Sequence, residues 1–107
     1  MLKLNLQSAV LAELDTIIRT CLPQYEVWVF GGRVKQQAHS GSDLDLVIRN
    51  PLQLNKPSPE LATFKSALRD SNIPILVDVM DWATLPEAFH EEILKQYYVL
   101  YSGAGAY

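Results

Sequence analysis

Three aspartates and a glycine pair are the residues of this chain whose types and spacing could do chemistry. Asp43 and Asp45 flank a leucine in Asp43-Leu44-Asp45-Leu46, and ten residues separate Asp43 from Gly31-Gly32. In a strand from Leu44 to Arg49, period-two alternation places Asp43, Asp45 and Val47 on one face and Leu44, Leu46 and Ile48 on the other. Two carboxylates side by side repel each other unless a cation neutralises them or one takes up a proton. A hard divalent cation, Mg²⁺ or Mn²⁺, is the simplest remedy, and it also bridges to phosphate oxygens. Asp78, in Val77-Asp78-Val79-Met80, is a charge in an apolar run that calls for a partner. That partner is either the same cation or a lysine or arginine within the sheet.

The glycines complete a phosphate-handling pattern. Val27-Trp28-Val29-Phe30 is β-branched and aromatic, a buried strand that delivers Gly31 and Gly32 to its end. Glycines there let a ligand approach the backbone, and Arg33-Val34-Lys35-Gln36 can form one helical turn whose first N–H groups attract an anion. Each fragment alone has a plainer reading: a glycine pair is commonly a turn, and Asp-Leu-Asp a strand end in water. Their joint occurrence with Asp78 favours a nucleotide site.

On these residues the chain resembles the polymerase-β-type nucleotidyltransferase superfamily, and its short length resembles the minimal nucleotidyltransferase branch. The likeness continues through Val77-Asp78-Val79-Met80-Asp81-Trp82-Ala83-Thr84 and the amphipathic helix after it. The resemblance implies an α/β nucleotidyltransferase fold, a mixed sheet with helices packed against it. It implies an enzyme that moves a nucleoside monophosphate, AMP from ATP as first choice, to an acceptor hydroxyl with release of pyrophosphate. Asp43, Asp45 and Asp78 are then the catalytic, metal-holding acids for two Mg²⁺ ions, or Mn²⁺, with Asp78 on the acceptor side. Gly31, Gly32, Arg33 and Ser42 are the nucleotide contacts. Gly32 supplies no hydroxyl where many relatives have serine, and Gln36 replaces a further glycine, so the phosphate loop rests on backbone donors.

Family context also implies a helical HEPN-type partner protein, often a toxin, silenced by adenylylation of a tyrosine. The alternative is an antitoxin that keeps the fold, transfers nothing, and neutralises its partner by binding. An antibiotic-modifying enzyme fits less well, because a chain of 107 residues holds one domain and no second domain to hold a drug. Homo- and hetero-oligomers are both compatible with these expectations.

The elements that must position the acids follow from periodicity. Val10, Leu14, Ile17, Ile18 and Cys21 mark an amphipathic helix over about Ser8 to Leu22, stopped by Pro23. Strands are expected at Glu26 to Phe30, Leu44 to Arg49 and Ile75 to Met80, with a short one at Tyr97 to Tyr101. Ser58-Pro59-Glu60 predicts a capped helix with Leu61, Phe64, Ala67 and Leu68 inward. Thr84-Leu85-Pro86-Glu87 predicts a capping box for a last helix with Phe89, Ile93 and Leu94 inward. Asp81 is expected as a turn or cap residue, His39 as a loop residue, and His90 as an exposed helix residue. The domain is expected over 1–101, with 102–107 as a flexible tail.

A formal charge of -3 disfavours a nucleic-acid partner, although Arg33, Lys35, Arg49 and Lys56 could form a local basic patch. The single cysteine, Cys21, excludes an internal disulfide and suits a cytoplasmic protein. No apolar run approaches the ~20 residues needed to cross a bilayer, and no membrane role is expected.

Overall fold

The structure is a computed structural model and describes residues 6–31 and 43–103. The expected elements form in the expected order: α1 (Ser8–Cys21), β1 (Glu26–Phe30), β2 (Leu44–Arg49), α2 (Leu61–Arg69), β3 (Val77–Asp81), a 3-10 turn (Trp82–Thr84), α3 (Glu87–Lys95) and β4 (Tyr98–Ser102). The four strands make one mixed sheet in the order β3-β2-β1-β4. β1 pairs antiparallel with both β2 and β4, whereas β2 and β3 run parallel. That parallel pair requires a crossover, which α2 supplies.

Alternation along the strands gives the sheet two different faces. Val27, Val29, Leu44, Leu46, Ile48 and Val79 form an aliphatic layer against Leu14, Ile18 and Leu22 of α1 and Phe64 and Leu68 of α2. The other face gathers Trp28, Phe30 and Val47 with Trp82 and Ile93. Here Trp28 stacks on Tyr97 at 4.1 Å between ring centroids, and Trp82 stacks on His90 at 3.8 Å. Both faces are covered, so β1 and β2 are buried along nearly their whole length.

Several local expectations are corrected. β3 begins at Val77 and ends at Asp81. The Ser58 side chain does not cap α2; its hydroxyl is buried without a partner, and its backbone carbonyl accepts from Leu61 N–H at 3.2 Å. No capping box precedes α3, because the Thr84 hydroxyl turns back to the Asp81 carbonyl at 3.0 Å. Leu94 is 50% exposed, since the inward stripe of α3 is Phe89 and Ile93. His90 is partly buried: its Nε2 lies 2.7 Å from the Trp82 carbonyl while its ring lies on the indole.

The carboxyl-terminal boundary falls later than 101. Ser102 is the last residue of β4, and Gly103 N–H donates to the Tyr25 carbonyl at 2.9 Å. Residues 104–107 of the expected tail lie outside the described residues. Among the described residues no helix is long and apolar enough to cross a membrane.

Candidate active site

The sheet brings two of the three acids into register. Asp45, second residue of β2, pairs with Phe30 of β1 on one side and with Asp78 of β3 on the other. Neighbouring strands lie about 4.8 Å apart, so the Asp45 and Asp78 side chains emerge adjacent on the same face. Asp43 stands one residue outside β2 and is exposed. Burial, then the charge of Asp78, then that of Asp43 raise the Asp45 pKa above the usual aspartate value. The charges of Asp78 and Asp43 therefore both act on Asp45.

Asp78 departs from the expectation in one respect. It is exposed, because β3 is an edge strand and the acid-bearing face is open there. Its place in an apolar run reflects the neighbours Val77 and Val79, which turn to the helix-covered face, rather than burial of the charge itself. Among the described residues Asp78 has no lysine or arginine partner; the ion pairs there are Arg19–Asp15, Arg49–Glu26 and Lys95–Glu92.

Gly31 has a structural role besides the nucleotide contact expected of it. Its φ is +76°, a left-handed conformation that a side chain disfavours, and a Cβ built there would overlap the Asp45 carboxylate oxygen Oδ2. What approaches the Gly31 backbone is the acid of β2. The glycine thus lets the strand end close over Asp45, which could be anticipated only from the cross-strand register of Phe30 with Asp45. Gly32, Arg33 and Ser42 lie outside the described residues, as do Lys35, Gln36 and His39.

Three hard-oxygen carboxylates with a half-buried, unneutralised member suit a divalent metal in donor chemistry and charge. Among the described residues no group of three His, Cys, Asp or Glu side chains converges as a ready-made cage. Asp45 and Asp78 are the adjacent pair, and Asp43 lies at the mouth of the strand.

At the opposite end of the sheet the charged groups have partners. Arg49 bonds to Glu26 at 2.5 Å and lies over the Trp28 ring at 4.0 Å and the Trp82 ring at 4.5 Å. Its side chain is 15% exposed, so Arg49 is not part of a basic patch. Burial lowers the Arg49 pKa, and the Glu26 carboxylate opposes that shift. Asp81 is buried and accepts from Ser58 N–H at 2.6 Å and from Ala83 N–H at 3.1 Å, which bears out its expected cap role and removes it from the metal question.

A mixed sheet that sets the glycine at the end of β1 against Asp45 of β2, itself paired with Asp78 of β3, is the frame of a nucleotidyltransferase domain. The chain belongs to the family described as polymerase beta, nucleotidyltransferase, which it matches over residues 16–104. It is 42% identical over 100 residues to a Haemophilus influenzae protein named "Probable protein adenylyltransferase MntA", a match covering 92% of this chain and 84% of that protein. Two solved structures share the fold. One is a toxin-antitoxin crystal structure with AMP-PNP, with a TM-score of 0.61 at 18% identity over 88% of this chain and 74% of that one. The other is the toxin-antitoxin MntA-HepT, with a TM-score of 0.57 at 16% identity over 90% of this chain and 73% of that one.

Proposed function

We propose that this chain is a metal-dependent adenylyltransferase that moves AMP from ATP to a hydroxyl on a partner protein, as the antitoxin of a toxin-antitoxin pair. The observation that carries the reading is the half-buried Asp45, facing Asp78 across the β2–β3 ladder and held beneath Gly31. Stored repulsion of this kind marks a site built for a positively charged ligand. The 42% identity to a protein named as an adenylyltransferase supports the nucleotide and the reaction. The resemblance of the fold to the MntA-HepT complex supports a helical protein of the HEPN type as partner.

Asp43, Asp45 and Asp78 would hold Mg²⁺, or Mn²⁺, in this reading. Bound there, the metal lowers the pKa of the acceptor hydroxyl and offsets the charge that develops on the leaving pyrophosphate. The new bond joins the hydroxyl oxygen to the α-phosphorus. The bond from that phosphorus to the oxygen bridging to the β-phosphate breaks, and its electron pair leaves with pyrophosphate. The hydroxyl proton passes to the exposed Asp78 carboxylate, which has access to solvent and to an incoming protein side chain. Gly31 holds the Asp45 carboxylate in place at the end of β1. Gly32, Arg33 and Ser42 would bind the phosphates from the segment that follows.

The test is mass spectrometry of a helical HEPN-type protein that co-purifies with this chain, after incubation with magnesium and ATP. An added AMP on a partner hydroxyl, lost in Asp78→Asn while the complex survives, is the expected result. A stable complex that is never modified would leave the second reading, an antitoxin acting by binding alone.

A further inference from the structure

Beside Phe30 and Gly31 lies a cavity of about 610 Å³, lined by these two residues and by Phe89, Glu92, Ile93, Lys95 and Gln96. Its volume falls within the ~300–1,000 Å³ of small-molecule sites. It belongs to the same neighbourhood as the acids, because Phe30 is the cross-strand partner of Asp45 and Gly31 touches Asp45 directly. The Phe30 and Phe89 rings meet edge to face at 5.9 Å, leaving an aromatic wall. None of these residues enters the transfer chemistry described above, apart from Gly31.

The chemistry of the lining selects the occupant. The cavity lies at the carboxyl-terminal end of α3, where the helix dipole presents negative partial charge. Lys95 is bound to the Glu92 carboxylate at 3.0 Å, so the lysine balances Glu92 instead of serving a free anion. The described lining therefore offers a phosphate no unpaired cation. A flat, neutral ring that donates N–H groups is favoured: its faces meet Phe30, Phe89 and Ile93, and its edge meets the Gln96 amide, the Glu92 carboxylate and the helix carbonyls.

We propose that this cavity is the base subsite of the nucleotide, taking an amino-bearing nucleobase with Phe89 as its aromatic wall and Gln96 and Glu92 as its polar edge. The proposal rests on the nucleotide reading above and adds where the base goes and why an amino group is selected. The triphosphate then extends past Gly31 toward the acids, and selection for the base comes from α3.

The test measures affinity by calorimetry, with magnesium present, for ATP, for UTP, which lacks the amino group, and for inorganic tripolyphosphate. The wild type is expected to bind ATP more tightly than either other ligand. Phe89→Leu and, separately, Gln96→Ala should weaken ATP about 10-fold, the order of loss when a base-stacking contact is removed, and leave tripolyphosphate unchanged. Gln96 follows α3 and is only partly buried, so its variant keeps the test independent of any loss of packing at Phe89. Equal binding of ATP and tripolyphosphate, or unchanged ATP affinity in both variants, overturns the subsite even if AMP transfer is observed. Unchanged ATP affinity with a raised KM for the partner protein also overturns it, by assigning the cavity to the acceptor. Base-dependent binding lost in the variants upholds the subsite, whether or not the partner becomes modified.

Discussion

The two ends of the sheet treat charge in opposite ways. At the end formed by Glu26, Arg49 and Asp81, each ionic group has found a partner: a carboxylate for the guanidinium, two indole rings around it, and backbone N–H donors for the aspartate. At the other end Asp45 faces Asp78 across the β2–β3 ladder with Asp43 just outside β2, and burial and those two charges push Asp45 toward its protonated form. The same strands run through both ends, so the difference is not one of fold. Paired charges hold a structure together, whereas carboxylates that raise one another's energy are kept only for what they bind.

Substitutions at each end can break this contrast. The largest effect is expected from Asp45→Asn. If several kcal/mol of charge stabilisation pass through this acid, AMP transfer falls on the order of 10³-fold. The melting temperature measured in a chelator should meanwhile hold or rise, because the repulsion is gone. Retained transfer, or a clear fall in melting temperature, would erase the distinction between the ends.

Arg49→Ala is the converse. It strands Glu26, 19% exposed, and opens the space between Trp28 and Trp82, costing about 3 kcal/mol in urea unfolding. The nucleotide affinity of the folded fraction should not change. Asp81→Ala should cost about 2 kcal/mol by leaving the Ser58 N–H without its acceptor, again with nucleotide affinity intact.

The smallest effect is a pH dependence at the paired end. Tyr25 has a pKa raised by burial and then by its hydrogen bond to Glu60 at 2.6 Å. The folded state therefore holds the phenol proton more tightly than the unfolded chain does. The corresponding stability is present below about pH 10, the unfolded value, and is lost as pH rises from there through the folded value. Melting curves between pH 9 and 11 should fall more steeply for the wild type than for Tyr25→Phe.

Much of this arrangement was legible in the residues. Apolar periodicity located α1, and alternation fixed which face of β2 carries Asp45, because a one-residue slip would have put Leu44, Leu46 and Ile48 into solvent. Strand order was not legible, since local pattern says nothing about which edges meet, and the family resemblance supplied only that the sheet is mixed. The contact of Gly31 with Asp45 and the exposure of Asp78 both depend on that order. So does the enclosure of Arg49: a guanidinium buried between two indoles looks in sequence like any basic residue at a strand end. The caps of α2 and α3 failed for a local reason, as Ser58 and Thr84 found other roles beside Asp81.

The order β3-β2-β1-β4 also sets a schedule for the chain during synthesis. β1 and β2 can form their ladder early, and α2 can bring β3 alongside, but the outer edge of β1 is closed only by β4, which leaves the ribosome after the other described strands. Until then the β1 edge beside Val27 and Val29 is an open, apolar template of the kind that invites aggregation. Closure is secured where the Tyr101 hydroxyl reaches the Pro23 carbonyl and Gly103 packs so closely on the Pro23–Gln24 backbone that a Cβ would collide with it. A nascent chain stalled before β4 would carry its acids in place while its edge remained adhesive. Closure of this sheet therefore waits on β4 and not on the pairing of β2 with β3.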